Sequence, residues 1–549
     1  SVDAVEVSFT VNASQPASSA AGVIDLRPKH AYERNGQRIT ADVSAMANGE
    51  ELFLDKVTKP DDHARHLIVP NASFEYANSF LNHRLGVLFS VNESNIFNEQ
   101  RQYVPTYDTT PTAANPKPIV ITRIQYKDGP KLTERSTMSF TLDYKATDKL
   151  TFSLIGTLNN YGMFTSNRSF GVTTTRANLA NSDGWTGWTN VPITGLTSSW
   201  SYLRKRTHGY TYLPTFEYKT HNLLVTGSAV VSQSENNYAG NESYRLPGSN
   251  IGGVSLATTG MTVNATRSPD DLYAWKVVQT GGLDWSNLAN YNASATGFPT
   301  FGYDGRYNRV LKYQAKVDAR YDTALEVPTW FKAGANVGET AYIFQNPTAW
   351  QSWNYIGPGG GAGGSWSLYP SAAVFSPGHG GYFDSTTGGT PAIADHNIIG
   401  DLFSSHPEYF GHNDSAANYL ASFVTAPKYI REEIDAAYAM FDSKPLTRVE
   451  VQAGLRWERT RDETKDFNQV PTAKVVAAGF PVTASTGVAS TIPGIQYQYF
   501  STPRIARSNE YDDLFPSGSV KYLVTPNLQA LFGYSYTVTR PAYGDLSGT

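Results

Sequence analysis

The sequence lacks cysteine altogether, and it contains no long hydrophobic run. None of its 549 residues is Cys, so disulfide bonds, thiolate metal sites and thiol nucleophiles are excluded. No stretch approaches the roughly 18 consecutive apolar residues that a membrane-spanning helix requires. The mean hydropathy is -0.37. A bundle of membrane helices is therefore excluded.

Charge and catalytic motifs are also scarce. Charged residues make up 17% of the chain, compared with about 25% in soluble domains. The formal net charge of -4 provides no basic field for nucleic acid, which we exclude as a partner. The glycine run at 359–364 formally matches G-x-G-x-x-G, but no strand-loop-helix pattern surrounds it, so a flexible loop is favoured. The sequence predicts no enzyme activity and no cofactor.

Aromatic residues are abundant, and apolar residues alternate with polar ones at a period of two. Aromatics make up 13% of the chain, including 34 Tyr. In the clearest case Met138, Phe140, Leu142 and Tyr144 alternate with polar residues, and the pattern resumes after a tight turn at 146–148. A tilted strand needs about 9–11 residues to cross the hydrocarbon of a bilayer. This segment therefore predicts a hairpin of two membrane-spanning strands.

Six such hairpins follow one another, and their connections alternate between short and very long. The short connections are expected near 78–80, 146–148, 220–221, 323–327, 442–445 and 525–527. The long ones are expected at approximately 93–134, 162–207, 235–307, 344–426 and 461–511. Outer-membrane barrels have short periplasmic turns and long extracellular loops, so the alternation assigns both sides of the membrane.

Two further patterns refine this topology. An aromatic residue precedes nearly every short turn, which predicts a girdle at the periplasmic interface, although tyrosines are common in any strand. These residues are Tyr76, Tyr144, Tyr218, Tyr321, Phe441 and Tyr522. In the fourth hairpin, every second position is polar or charged, as expected of a face that lines a hydrated lumen: Lys312, Gln314, Lys316, Asp318 and Arg320. In the fifth, the apolar face is read as Ile434, Ala436, Tyr438 and Met440.

Two segments depart from the regular pattern. Pro214 lies inside an apparent strand, where it removes a ladder hydrogen bond, so a bulge or a local break is expected there. Residues 119–126 also form a strand pattern, but an additional crossing would place the 146–148 turn outside the cell. We therefore assign 119–126 to an extracellular extension of the sheet.

Several segments match a known family. Residues 1–7 end in Val-Glu-Val, and residues 20–27 contain a Gly-x-Ile-Asp-Leu-Arg sequence. Residues 453–460 read Ala-Gly-Leu-Arg-Trp-Glu-Arg-Thr, and Phe-Pro-Ser at 515–517 is followed by Tyr-Ser-Tyr-Thr-Val-Thr-Arg-Pro at 534–541. In this order the segments resemble the TonB-dependent receptor family, whose barrel encloses an N-terminal plug domain. The plug match departs at Ala21 and Asp25, where the family has Gly and Asn, and at 8–10, where a Gly-Pro turn is expected.

The resemblance implies an all-β fold with two parts. Residues 1–36 would be the end of the plug domain and the plug-barrel junction, and 37–549 would be an antiparallel transmembrane β-barrel with long extracellular loops. The junction would include Gly22, Ile24, Asp25 and Arg27. Family barrels have about 22 strands, whereas about 13 are counted here, so we expect roughly nine strands, the early plug and a signal peptide to lie outside this sequence.

The resemblance also implies energised uptake of a scarce nutrient of siderophore, cobalamin or oligosaccharide type across the bacterial outer membrane. The expected partners are outer-membrane lipid, the TonB-ExbB-ExbD energising complex, the ligand, and, as an option that the sequence leaves open, a surface lipoprotein. A passive porin or structural surface barrel is the alternative. A secreted carbohydrate-binding β-protein, with its apolar faces turned inward, is a third. Packing of residues 5–27 within the lumen would favour the transporter.

Candidate ligand-binding residues are aromatic and lie in the expected loops. Flat indole rings can stack on a sugar or an aromatic siderophore, although long loops also need tryptophan to build a core. The candidates are Trp185, Trp188, Trp275, Trp285, Trp350, Trp353 and Trp366. A metal site is not expected, and the weak candidates for one are His379, His396, His406 and His412, whose spacing fits no standard ligand set.

Overall fold

A computed structural model describes most of the chain. The described residues are 2–8, 11–19, 22–28, 36–47, 56–57, 65–66, 68–239, 245–246, 249–250, 253–287, 290–291, 300–302, 305–358, 373–374, 391–394 and 396–543. Trp366, His379 and the side chains of Asp25, Arg27 and His396 lie outside the described part. No helix within the described part is long and apolar enough to cross a membrane.

Thirteen long strands form one antiparallel barrel sheet. They are β1 Arg38–Met46, β2 Val69–Phe80, β3 Leu85–Tyr103, β4 Val120–Lys145, β5 Leu150–Thr173, β6 Gly195–Lys219, β7 Leu223–Ala239, β8 Tyr307–Asp322, β9 Thr329–Gln345, β10 Lys428–Leu446, β11 Val449–Asp466, β12 Ile505–Thr525 and β13 Leu528–Ser535. Each pairs with the next strand along the chain. The predicted antiparallel barrel of about thirteen strands is confirmed.

The six short connections all lie at one end of this sheet. Four are at the predicted places, but the turns expected at 78–80 and 442–445 lie at 81–84 and 447–448. The first of these two passes through left-handed backbone conformations at Leu81, Asn82 and His83, with φ of 56°, 55° and 62°. Because this turn contains neither glycine nor proline, composition did not mark its position.

The outer face of the sheet is a continuous apolar band. Residues directly opposite each other on neighbouring antiparallel strands share a face. One such row crosses seven strands through Phe216, Gly227, Val317, Ala335, Ala437, Trp457 and Leu514. Within this row of apolar residues, the Val317 side chain is 44% exposed. An exposed apolar band of this extent is what contact with lipid requires.

The prediction for the faces of β10 was wrong. Tyr438 and Met440 are buried on the inner face, whereas Ala437 and Ala439 are exposed on the outer face. Phe441 also lies on the outer face, opposite a phenylalanine of β9. Apolar residues occur at both even and odd positions of this strand, so the alternation alone does not decide which set faces outward. The register of β10 with β9 and β11 decides it.

Pro214 breaks one ladder without shifting the register. It pairs with Leu154 of β5, but the ladder to β7 has no pairing between Tyr212 and Thr215. Because the same register continues on both sides, the feature is a local break and no bulge forms. A residue without an N–H group loses its hydrogen bond on one side of the strand only.

The strands extend far beyond the membrane on the side of the long loops. At about 3.3 Å per residue, the 26 residues of β4 are much longer than the crossing needs. Strands enter each of the five long connections. The strand expected near 119–126 is confirmed, but it is the beginning of the continuous strand β4, and its extracellular position stays a prediction. This extended sheet supports the elements of the long connections.

Smaller elements complete the described structure. At the N-terminus Val2–Ser8 pairs with Val23–Pro28. Five short strands add to the barrel sheet beyond the long strands: Thr106–Asp108, Gly253–Thr258, Thr300–Gly302, Ser352–Tyr355 and Phe410–His412. Short strands outside that sheet are Lys56–Val57, Arg65–His66, Gly187–Pro192, Arg245–Leu246, Ser249–Asn250, Met261–Thr266, Lys276–Gly282, Ala373–Val374 and Ile393–Ala394. The α-helices are His396–Ser405, Ala416–Leu420, Thr472–Ala477 and Ile492–Phe500.

Because the outer face of β8 belongs to the apolar band, a charged residue placed there should destabilise the barrel. Val317→Arg is expected to destabilise the folded barrel by about 2–4 kcal/mol, because the guanidinium would face the middle of the bilayer. Unfolding of the protein by guanidinium chloride in lipid vesicles measures this loss of stability. The control is Gln314→Arg, on the inner face of the same strand, for which we expect little change. Equal stability of the two variants would contradict the assigned faces.

Candidate functional site

Residues 11–19, here called the luminal segment, lie against the inner face of β8–β11. The Lys316 ammonium donates a hydrogen bond to the Ser14 carbonyl at 3.3 Å. The backbone N–H of Ala17 donates to Glu458 Oε1 at 3.1 Å. Strands that are distant in sequence therefore hold this segment through side chains on the face opposite the apolar band.

Small residues allow the luminal segment to approach the wall closely. Ala13 is buried and packs with Tyr438 and Met440. On β11, opposite Met440, stands Gly454, where a Cβ atom would lie 2.7 Å from the Ala13 Cβ. Any larger residue at 454 would therefore displace either the segment or Met440.

A buried ion network stands at the point where the luminal segment meets β11. Glu458 is 2% exposed. Its carboxylate accepts hydrogen bonds from Arg456 Nε at 2.6 Å and from Arg540 Nη2 at 2.7 Å. Together with the bond from Ala17, these contacts leave the buried carboxylate fully paired. Such a charge is tolerated in a buried position only while its partners remain in place.

A second polar cluster lies deeper along the same wall. Asp318 on β8 is 3.0 Å from the Lys316 ammonium and 3.8 Å from that of Lys332. The Tyr438 hydroxyl donates to Asp318. Gly334 lies between them, and a Cβ atom there would be 2.7 Å from the Tyr438 ring. The glycine therefore makes room for this hydrogen bond.

Residues 536–543, here called the luminal strap, follow β13 and return along the inner face. The backbone N–H of Val538 donates to the Ala17 carbonyl at 3.1 Å. Arg540 also donates to Thr460 Oγ1 at 2.9 Å. The Tyr543 hydroxyl donates to Glu432 Oε1 at 3.3 Å. The strap therefore touches both the wall and the luminal segment.

The part of the structure beyond the apolar band, on the side of the long connections, encloses an aromatic core. Trp188 is fully buried and lies 6.4 Å, between ring centroids, from Trp275. Trp285 is also buried and meets Phe170 edge-to-face at 5.6 Å. The Tyr126 hydroxyl accepts a hydrogen bond from the Trp275 backbone N–H at 2.8 Å. Three of the candidate tryptophans thus build the interior of this region, and their contact with a ligand stays a prediction.

Trp185 differs because it is 38% exposed. Its ring lies 6.1 Å from that of Tyr107, and the Arg267 guanidinium stands 5.2 Å from it. Burial of Asp183 acts to raise the pKa of its carboxyl group, but hydrogen bonds from Thr186 and the neighbouring backbone N–H groups outweigh it and hold that pKa below its ordinary value. The ionised Asp183 carboxylate and the aromatic pair of Trp185 and Tyr107 therefore lie close together on this surface.

Trp350 and Trp353 surround one histidine. Their ring centroids lie 4.7 Å and 5.0 Å from that of His412. His412 Nδ1 lies 2.6 Å from the Asp414 carboxylate, and His406 Nδ1 lies 2.9 Å from that of Glu408. Within the described residues, no three His or acidic side chains are arranged to hold a metal ion.

The predicted plug-barrel junction lies on the second strand of the N-terminal sheet. Gly22 has a φ of 99°, a left-handed conformation that glycine adopts without strain. Ile24, Asp25 and Arg27 pair with Val7, Glu6 and Ala4, in that order. The Ile24 side chain is exposed. The junction role of these four residues stays a prediction.

The sequence interpretation did not single out the Glu458 network. Arg456 and Glu458 were present in a family-like segment, and their parity, opposite to that of Leu455 and Trp457, is a signal for an inner-face position. Arg540 lies 82 residues beyond Glu458. Pairing over this separation depends on the path of the strap, which no local pattern describes.

An independent comparison bears on these observations. Residues 409–548 match the model of an outer membrane protein β-barrel family. Together with the apolar band and the polar inner face, this match decides the class of protein. The chain forms an outer-membrane β-barrel. It lies in the bacterial outer membrane, with its apolar outer band facing lipid.

Solved structures similar to this outer-membrane β-barrel have low identity to it. One is a ferric enterobactin receptor, with 8% identity, 99% of this chain and 83% of that chain covered, and a TM-score of 0.20. Another is a siderophore receptor from Acinetobacter baumannii, with 8% identity, coverage of 97% and 81%, and a TM-score of 0.18. A copper transporter has 8% identity, coverage of 96% and 80%, and a TM-score of 0.16. No curated protein matches the sequence.

Proposed function

We propose that this barrel is a TonB-dependent receptor that takes up a scarce nutrient of siderophore, cobalamin or oligosaccharide type. The observation that carries the proposal is the luminal segment on the inner wall. A passive porin requires an open aqueous channel, whereas Ala13 and Ala17 are buried against the wall of this lumen. Residues 1–36 are, in this proposal, the end of a plug domain.

The strength of these contacts favours an energised mechanism. Moving the luminal segment away from the wall would remove the Ala17 hydrogen bond to Glu458 and the packing of Ala13. Breaking contacts of this kind requires work, and the TonB-ExbB-ExbD complex of the inner membrane would supply it. Trp185, Trp350 and Trp353, which are not fully buried, are the candidates for ligand contact in the extracellular region.

Uptake measurements test this function directly. Cells that express the full-length protein would be supplied in turn with labelled ferric siderophores, cobalamin and oligosaccharides. We expect at least one ligand to accumulate, and its accumulation to stop in cells that lack the energising complex. Accumulation of a ligand down its gradient, unchanged without that complex, would instead establish the passive porin.

A glycine substitution tests the role of the luminal segment. Gly454→Ala places a Cβ atom 2.6 Å from the Met440 Cβ and 2.7 Å from that of Ala13, an overlap that we expect to cost about 1–3 kcal/mol and to loosen the segment. Cells with this variant should become more sensitive to vancomycin, which is too large for ordinary porins.

The matched control is Gly338→Ala on the inner face of β9. A Cβ atom there meets no atom closer than 3.6 Å, so vancomycin sensitivity should stay at the wild-type level. A barrel whose permeability does not respond to Gly454→Ala, although the protein is present and folded, would show that the luminal segment does not close the lumen.

A further inference from the structure

The inner wall of β10 and β11 carries an unusual pair of carboxylates. Glu432 and Asp462 are directly opposite each other on neighbouring strands. Like charges in this position destabilise a sheet. Asp462 is only 8% exposed, and its Oδ1 has no hydrogen-bond partner among the described residues. A buried carboxylate oxygen normally accepts a hydrogen bond, and the described residues of the barrel wall offer this oxygen no donor.

Glu458 extends this pair into a site with three carboxylates. It lies on the same face of β11 as Asp462, with Thr460 between them. We call Glu432, Glu458 and Asp462 the acidic wall site. The site faces the lumen, on the opposite side of the sheet from lipid.

One cation of the chain itself already occupies part of this site. The Arg540 guanidinium binds Glu458 at 2.7 Å and Thr460 at 2.9 Å. It arrives on the luminal strap, which is no part of the wall. A guanidinium carried by a separate segment of the chain into a group of three carboxylates is the arrangement expected of a tethered ligand.

Aromatic rings beside Glu432 suit the same class of ligand. The Tyr543 ring stacks on Tyr342 at 5.6 Å with an interplanar angle of 22°. The Tyr543 hydroxyl binds Glu432. Guanidinium and ammonium groups are attracted to the faces of such rings as well as to carboxylates.

We propose that the acidic wall site binds a guanidinium or ammonium group of the transported ligand, and that Arg540 occupies this site until the ligand replaces it. The inference rests on the proposed function, because it takes the lumen to be the route of the ligand. Val538 on the same strap is bonded to Ala17. Displacement of Arg540 would therefore also loosen one contact of the luminal segment.

The test uses agmatine, a small dication with one guanidinium and one ammonium group, and the full-length protein purified in detergent. A tethered group competes at an effective concentration in the millimolar range, so Arg540→Ala should lower the apparent Kd for agmatine by roughly tenfold or more. Isothermal titration calorimetry measures this shift. Arg540→Gln, which keeps a polar side chain but removes the charge, should show the same gain.

Two further variants make the result specific. Adding Glu432→Gln and Asp462→Asn to Arg540→Ala should abolish the gain in affinity. Arg459→Ala removes an arginine on the outer face that pairs with Asp435, and it should bind agmatine as the wild type does. Heat-modifiable migration on gels confirms that each variant is folded.

Three results would overturn the proposal. They are unchanged agmatine affinity after removal of Arg540, binding that does not depend on Glu432 and Asp462, and an equal gain from Arg459→Ala. Because the assay measures binding to the purified protein, loss of energised uptake in cells would count against the proposed function without affecting this measurement.

Discussion

Replacing Glu458 by Gln should release the luminal segment from the wall. The substitution leaves Arg456 and Arg540 buried without their counter-charge, a change that costs about 3–5 kcal/mol in other buried ion pairs. It also weakens the acceptor for the Ala17 N–H group. Hydrogen exchange of the backbone amides at 11–19 should become at least about a hundredfold faster, because each 1.4 kcal/mol corresponds to a factor of ten.

An exposed ion pair provides the matched control for this result. Glu510 pairs with Arg461 at 2.7 Å on the outer face, and both side chains are nearly half exposed. Solvent-exposed pairs contribute only about 0–1 kcal/mol. Glu510→Gln should therefore leave exchange at 11–19 unchanged. Slow exchange at 11–19 in the Glu458→Gln protein would mean that the ion network does not hold the segment.

Replacing Trp188 by Ala should unfold the extracellular aromatic core while the barrel remains folded. Trp188 is 0% exposed and lies among Trp275, Val263 and Val277 in the same cluster. Removal of a buried tryptophan side chain costs about 3–5 kcal/mol. Limited proteolysis of intact cells should then cut within 187–192 or 261–282, the strands of the sheet that carries Trp188, and the barrel should keep its heat-modifiable migration on gels.

Trp185→Ala is the control, because it removes the same side chain from an exposed position three residues away. We expect no new cleavage within 187–192 or 261–282. If Trp185 contacts the ligand, as we propose, this variant should instead weaken ligand binding by cells. Equal protease sensitivity of the two variants would contradict the assignment of Trp188 to the core and Trp185 to the surface.

Period-two alternation determined the barrel because it is a local property of each strand. Residues such as Met138 and Leu142 can face lipid only if their polar neighbours face the lumen. The alternation of short and long connections determined which strands are adjacent, since a turn of a few residues can join only antiparallel neighbours. Both features can be recognised from consecutive residues, without knowledge of any tertiary contact.

The tertiary structure decided everything that depends on contacts between distant segments. The face of Tyr438 followed from the register of β10 with its neighbours, because apolar residues occur at both parities of that strand. The division of the tryptophans into buried Trp188 and exposed Trp185 followed from how the extracellular strands pack. The meeting of Ala17, Glu458 and Arg540 joins three regions of the chain, and such long-range pairing leaves no periodic trace in a sequence.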